Sequence, residues 1–377
     1  MESNKSNQIV FTRYLYIKDE VEKALIISIL DKKEEESLFW AYELYYSGFQ
    51  SETFQLLWNI YFDFFASLNQ SFESYFFKKE KEWHKTKSDT TIAIIVQNLL
   101  IRPFNTDVFM LLYFGKHNET DCIQIQLAKW IQEKDYLSIT SFITRNNKVN
   151  VVELYETFLD EFHEISRKQT LLTQFKKIIK YKPHLITKIA VSRIIALFTK
   201  TQKKIKGRNL YMHVDENDIV NYKTYDGNEI RPYRVLSKMC LFNLNENNYL
   251  SLFQLTRNAI NNKQLHDLYF YHWIFCASFS PIWLTRIKQY HGTVDFQKKN
   301  IQFESEDNEE YFYNKYNYEP DEQPLSIQNK NIPNIDSGNN IDNKSNITWS
   351  AFQKKYNTNG IIDVFINESF IGKILYD

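Results

Sequence analysis

Apolar residues recur every three or four positions through most of the first two hundred residues, the spacing of a helix with one buried face. The clearest run is Ser37-Leu38-Phe39-Trp40-Ala41-Tyr42-Glu43-Leu44-Tyr45-Tyr46-Ser47. Glu34, Glu35 and Glu36 before it suit a first helical turn, and Gly48 after it suits a left-handed C-terminal cap. A second helix, with Ser51 as N-cap, places Phe54, Leu57, Trp58, Tyr61, Phe62 and Phe65 on one face. Helices are also predicted over residues 71–84, 91–101 and 108–114. Ser88 or Asp89 caps the second of these and Pro103 ends it; Asn105 or Thr106 caps the third and Gly115 stops it. The pattern continues over 121–132, 136–144, 151–163 and 167–181, then into a helix opened by Pro183. Short connections predict antiparallel neighbours in an irregular, solenoid- or bundle-like array with no fixed-period repeat.

The pattern changes after Lys206. Residues 210–214 and 219–225 alternate like two strands, and Asp226-Gly227 is a turn dipeptide, so a β-hairpin is expected there. Helices are expected again over 232–241, 246–260, 264–279 and 282–290, the last ended by His291-Gly292. Residues 268–284 hold no Asp, Glu, Lys or Arg. That run is short for a membrane span, and His272, Ser278, Ser280 and Pro281 interrupt it, so a buried helix is expected. Residues 304–322 are acidic, and 319–346 are Asn-, Asp-, Ser- and Gly-rich and expected to be disordered. Trp349 and Phe352 mark a short terminal helix, and the weak alternation from Gly360 onward a docking strand or hairpin. The expected fold class is mainly α: a helical array (1–205), a smaller α+β region with a β-hairpin (206–303), an acidic then disordered linker (304–346) and a C-terminal docking segment (347–377).

Composition supports this picture. Only 8 Gly and 7 Pro argue for helices over a turn-rich β fold, and 29 Phe, 25 Tyr and 7 Trp supply a packed core. Cys122, Cys240 and Cys276 form no metal-ligand spacing or disulfide framework, which favours a reducing compartment. The first residues lack a signal-peptide core, so a cytoplasmic location is expected.

Charge changes the picture more. The chain has 46 basic and 46 acidic residues, yet residues 167–208 hold thirteen Lys or Arg and no acid. Within that stretch Lys176, Lys177, Lys180, Lys200, Lys203, Lys204, Lys206 and Arg208 are candidate anion- or nucleic-acid-binding residues. The competing reading is internal: the acidic residues of 304–322 would cover the basic stretch and compete with an external anion. Other constellations are weaker. Glu153, Glu156 and Asp160 share a helix face, for a cation or for solvated pairing with lysine. His266 and His272 are six apart and do not share one. Tyr222, Tyr225, Arg231, Tyr233 and Arg234 mix aromatics with arginine as a base-stacking surface would. No Gly-rich phosphate loop, Gly-X-Ser-X-Gly or His-Glu-X-X-His occurs, so no catalytic residue, metal or cofactor is assigned.

Residues 36–49, the Trp40 helix with its Gly48-Phe49 end, and His272-Trp273-Ile274-Phe275-Cys276-Ala277-Ser278-Phe279-Ser280-Pro281-Ile282-Trp283 resemble segments of uncharacterised proteins of large nucleocytoplasmic DNA viruses. The resemblance implies host cytoplasm or virion as the location and carries over no functional residue. The expectation is therefore a non-enzymatic structural or protein-interaction scaffold with a protein partner and no membrane contact. The alternative is a nucleic-acid-associated protein using residues 167–208.

Overall fold

The computed structural model describes residues 8–117, 127–145, 149–161, 168–199, 211–223, 256, 260, 262–316, 352, 355–357 and 359–360. Through them the chain forms sixteen α-helices and one two-stranded sheet, so the fold is mainly α with a small hairpin. It packs as two units, both discontinuous: Met1–Phe54 with Val214–Thr348, and Gln55–His213 with Trp349–Asp377. This partition differs from the sequence-based one chiefly in its first 54 residues, where Ile9, Phe11, Leu15 and Ile17 share a core with residues after 260.

The first unit opens with a tight loop in which Phe11 bridges Ile17, followed by α1 (Lys18–Leu30) and α2 (Glu34–Tyr46). The start of α3 (Gln50–Ile60) belongs to it as well. It resumes with α12 (Val220–Lys223), α13 (Asn262–Phe270), α14 (Trp273–Ala277), α15 (Pro281–Gln289), β1 (Gly292–Asp295), β2 (Asn300–Phe303) and α16 (Glu306–Tyr316). Phe11, Ile17, Trp273, Trp283, Ile287 and Phe312 form its apolar centre. The Trp283 indole N–H donates to the Thr12 carbonyl at 2.9 Å, satisfying a buried polar group that the apolar surround would otherwise penalise. Gly48 takes the expected left-handed conformation, at φ 95°. A Cβ there would lie 2.5 Å from the Pro281 side chain. Gly48→Ala combines backbone strain with a steric clash, and calorimetry of the purified variant should show a loss above about 1 kcal/mol.

The second unit contains the rest of α3, which continues into a π-helical turn (Tyr61–Phe65), then α4 (Gln70–Thr86), α5 (Thr90–Leu100) and α6 (Asp107–His117). After these come α7 (Leu127–Glu133), α8 (Tyr136–Arg145), α9 (Val151–Glu161), α10 (Lys168–Tyr181), a 3-10 turn (Pro183–Leu185) and α11 (Ile186–Phe198). The wide apolar arc of α11 explains its position: Ile189, Ala190, Val191, Ile194 and Ile195 are buried, and the helix lies against α6, α8, α9, α10 and the π-turn. Phe352 and Tyr356 return to this unit, their rings 5.8 Å from Phe109 and 6.4 Å from Phe104.

Three expectations are corrected. The hairpin expected over 210–225 is absent from its described part: Glu216–Ile219 is a 3-10 turn and Val220–Lys223 is helical. The Asp215 and Asp218 side chains each take the other residue's backbone N–H, a reciprocal cap that starts a helix where alternation suggested a strand. The actual hairpin pairs Gly292 with Phe303 and Asp295 with Asn300. Its turn has no glycine; the Asp295 carboxylate accepts from the Gln297 and Lys298 N–H groups, at 2.9 and 3.0 Å, in place of the usual turn residues. Gly115 does not stop α6, which runs on to His117. Finally, the acidic segment begins as the folded helix α16, with Phe312 buried. The helices expected over 232–241 and 246–260, the disordered 319–346 and the terminal alternation lie wholly or almost wholly outside the described residues. The apolar run 268–284 is broken among α13, α14 and α15, and no described helix is long and apolar enough to cross a membrane.

Candidate anion-binding face

The basic stretch divides by burial into two chemically different sets. Lys182, Lys188 and Arg193 turn inward. Lys182 Nζ lies 2.8 Å from Glu80 Oε1, Lys188 Nζ 2.6 Å from Asp63 Oδ2, and Arg193 Nη2 2.6 Å from Glu73 Oε1. These three acids stand on the π-turn and α4, so Lys182 and Arg193, which are buried, and Lys188, which is partly buried, are neutralised within their own unit rather than by residues 304–322. Glu80 is a hub: its Oε2 also accepts from the Trp58 indole at 2.6 Å and the Tyr181 hydroxyl at 3.1 Å. Trp58 is held in turn by parallel stacking on Phe76, with centroids 3.9 Å apart. Burial pushes the Glu73 carboxyl above its ordinary range, against the pull of Arg193. Burial, then the neighbouring Glu80 charge, raises the Tyr181 phenol and keeps it a neutral donor.

These acids were missed in the sequence, although one signal existed. Asp63 interrupts Tyr61-Phe62-Asp63-Phe64-Phe65, and a carboxylate inside an apolar run requires a buried partner. Lys168 is also paired, with Asp160 and, at 4.0 Å, Glu156; the acidic face of α9 thus meets lysine among the described residues.

Lys176, Lys177 and Lys180 point outward. They are spaced at i, i+1 and i+4 on α10, exposed, and without a carboxylate partner among the described residues. Leu172, Phe175 and Ile178 bury the opposite face of the helix, which fixes the lysines toward solvent. Beside them α4 and α10 enclose a cleft of about 180 Å³, lined by Glu73, Ser74, Phe77, Gln174, Lys177 and Ile178. The Lys177 and Lys81 ammonium groups lie 5.1 and 4.7 Å from the centre of the Phe77 ring. Tyr181 meets that ring edge-on at 4.3 Å. The arrangement is a cationic rim around an aromatic wall, suited to attracting an anionic surface and holding an apolar or aromatic group. Lys200, Lys203, Lys204, Lys206 and Arg208 lie outside the described residues.

The other candidates do not converge. Tyr222 stacks on Tyr42 at 5.4 Å, and its carbonyl accepts from Arg13 Nη2 at 2.9 Å; Tyr225, Arg231, Tyr233 and Arg234 are outside the described residues. His266 packs on Phe270, whereas His272 Nδ1 lies 3.0 Å from the Lys299 carbonyl. No group of acids, histidines and cysteines able to hold a metal occurs among the described residues. No protein-family model, curated protein or solved structure shows a significant match to this chain, so the viral resemblance rests on the two aromatic segments alone.

Proposed function

We propose that this chain is a non-enzymatic interaction or structural protein that docks an acidic protein surface on the lysine face of α10. One observation carries the reading. Within a single basic stretch the cations are sorted, Lys182, Lys188 and Arg193 into ion pairs with acids of their own unit and Lys176, Lys177 and Lys180 onto one exposed stripe beside a cleft. Exposed like charges on one helix face repel one another by a few tenths of a kcal/mol per pair, a cost that an acidic partner reverses. The rim charges set the association rate and the salt dependence, while the aromatic wall supplies contact area.

The test is binding of poly-glutamate to the whole chain at about 50 and about 200 mM salt, for wild type and for the triple variant Lys176→Glu, Lys177→Glu, Lys180→Glu. Binding at low salt that weakens at high salt and vanishes in the variant is expected. No binding at either salt would overturn the reading. Steep salt-dependent binding to DNA or RNA, with none to poly-glutamate, would replace it by the nucleic-acid alternative.

A further inference from the structure

Among the described residues the most exposed large apolar side chain is Phe296, at 68%. It stands in the turn between β1 and β2, at the tip of the hairpin. The backbone holds it there. The Asp295 carboxylate accepts from the Gln297 and Lys298 N–H groups, and Lys299 completes the reversal in the left-handed conformation, at φ 53°. The hairpin is braced in turn. Ile301 is buried in the core of the first unit, and His272 Nδ1 lies 3.0 Å from the Lys299 carbonyl. The Phe296 ring centre lies 6.1 Å from that of Phe275 and 6.3 Å from that of Phe279, so the ring rests on other aromatics while most of its surface meets solvent.

Two cations flank this ring. Lys298 and Lys299 are exposed and have no carboxylate partner among the described residues. Asp295 is the only acid from Gly292 to Phe303, and its oxygens are taken by the turn N–H groups and by Gln302 Nε2 at 3.1 Å. Tyr271, one residue before the His272 brace, is 61% exposed and adds a second ring near the tip. An apolar ring at the apex of a hairpin is convex. A protein partner would need a ready-made apolar pocket with an acidic rim. The interface of an anionic bilayer needs no pocket, because it opens around the ring and carries negative headgroups at the depth of the ammonium groups. Lysine stems lie along apolar surface while their ammonium groups stay among the headgroups, and tyrosine suits the same depth.

We infer that the β1–β2 tip is a peripheral contact for an anionic lipid surface, with the Phe296 ring entering the interface and Lys298 and Lys299 against the headgroups. No spanning helix takes part, so the contact does not depend on the broken apolar run 268–284. One ring and two charges give weak, reversible attachment, since lasting attachment takes a larger apolar anchor. The tip shares no residue with the lysine face of α10, and the two readings stand or fall separately.

Co-sedimentation of the full chain with vesicles tests it, at about 50 mM salt so that charge is little screened. Wild type should sediment with vesicles of equal parts phosphatidylserine and phosphatidylcholine and stay in solution with phosphatidylcholine alone. Phe296→Ser should lower the affinity for the mixed vesicles about tenfold. The double variant Lys298→Ala, Lys299→Asn should lower it about thirtyfold, at roughly fivefold per lysine. Asparagine is chosen at 299 because it tolerates the left-handed backbone. Phe296→Trp should keep binding, and brominated lipid should quench the emission of the added indole. No sedimentation with the mixed vesicles, tip variants that bind as wild type does, or an added indole that brominated lipid leaves unquenched would each overturn the inference. Loss confined to the triple variant Lys176→Glu, Lys177→Glu, Lys180→Glu would also overturn it, by moving lipid binding to α10. Poly-glutamate binding that falls in the tip variants, without vesicle binding, would assign the tip to an acidic protein instead.

Discussion

Glu80→Ala should lower the stability of the second unit by about 3–5 kcal/mol, the scale for removing one partner of a buried ion pair. The substitution leaves the Lys182 ammonium buried and strips the Trp58 indole and Tyr181 hydroxyl of their acceptor. Glu80→Gln keeps an acceptor oxygen in place and should cost markedly less. Denaturant unfolding followed by amide exchange in α4 and α10 separates the two variants. A loss below about 1 kcal/mol for Glu80→Ala would mean that the hub contributes no more than an ordinary surface pair.

The second large effect concerns the first unit and depends on pH. Arg13 Nε lies 2.9 Å from Glu43 Oε2, with the two side chains 5% and 0% exposed. Burial raises the Glu43 carboxyl above its usual range, opposed first by Arg13 and then by hydrogen bonds from Thr12, Arg13 and Tyr14. A carboxyl raised in the folded state stabilises the fold in its protonated form. That contribution is complete below its unfolded pKa of about 4.3 and is lost as pH rises through the folded value. Arg13→Met removes the strongest opposing pull and widens that window. The variant should lose about 3–5 kcal/mol at pH 7 and recover part of the loss near pH 5, where Glu43 takes a proton. The double variant Arg13→Met, Glu43→Gln should be more stable than Arg13→Met at pH 7. Equal losses at both pH values would show that Glu43 is not the group left uncompensated. Chemical denaturation at the two pH values measures both.

Helices were legible where one face is apolar and a local residue such as Gly48 or Pro183 marks an end. The Trp40 helix, the Gly48 cap and the Pro183-opened helix all follow from local residues whose preferences agree with the packing. Segment 215–223 was misread because alternation and capping compete there, and the reciprocal Asp215–Asp218 cap prevails. The true hairpin was missed because its reversal relies on the Asp295 carboxylate and on left-handed Lys299 instead of glycine. The lysines of the candidate face were legible as charge, and three of them lie among the described residues as exposed positions. The sorting of their neighbours into ion pairs was not legible. It depends on acids roughly a hundred residues away or more, as in the 102-residue separation of Glu80 and Lys182, and charge counting along the chain cannot see such partners.

The discontinuity of the first unit constrains how the chain is made. Thr12 waits for Trp283, 271 residues later, whereas α4 to α11 all belong to one continuous stretch of the second unit. At about 5–20 residues per second, translation separates those two partners by on the order of ten seconds or more. Throughout that interval Phe11, Leu15 and Ile17, all buried in the finished molecule, lack the later residues of their core. The nascent chain therefore presents an apolar amino-terminal segment to chaperones while the contiguous helices behind it can already condense. Slower elongation should lengthen the interval before that core can close.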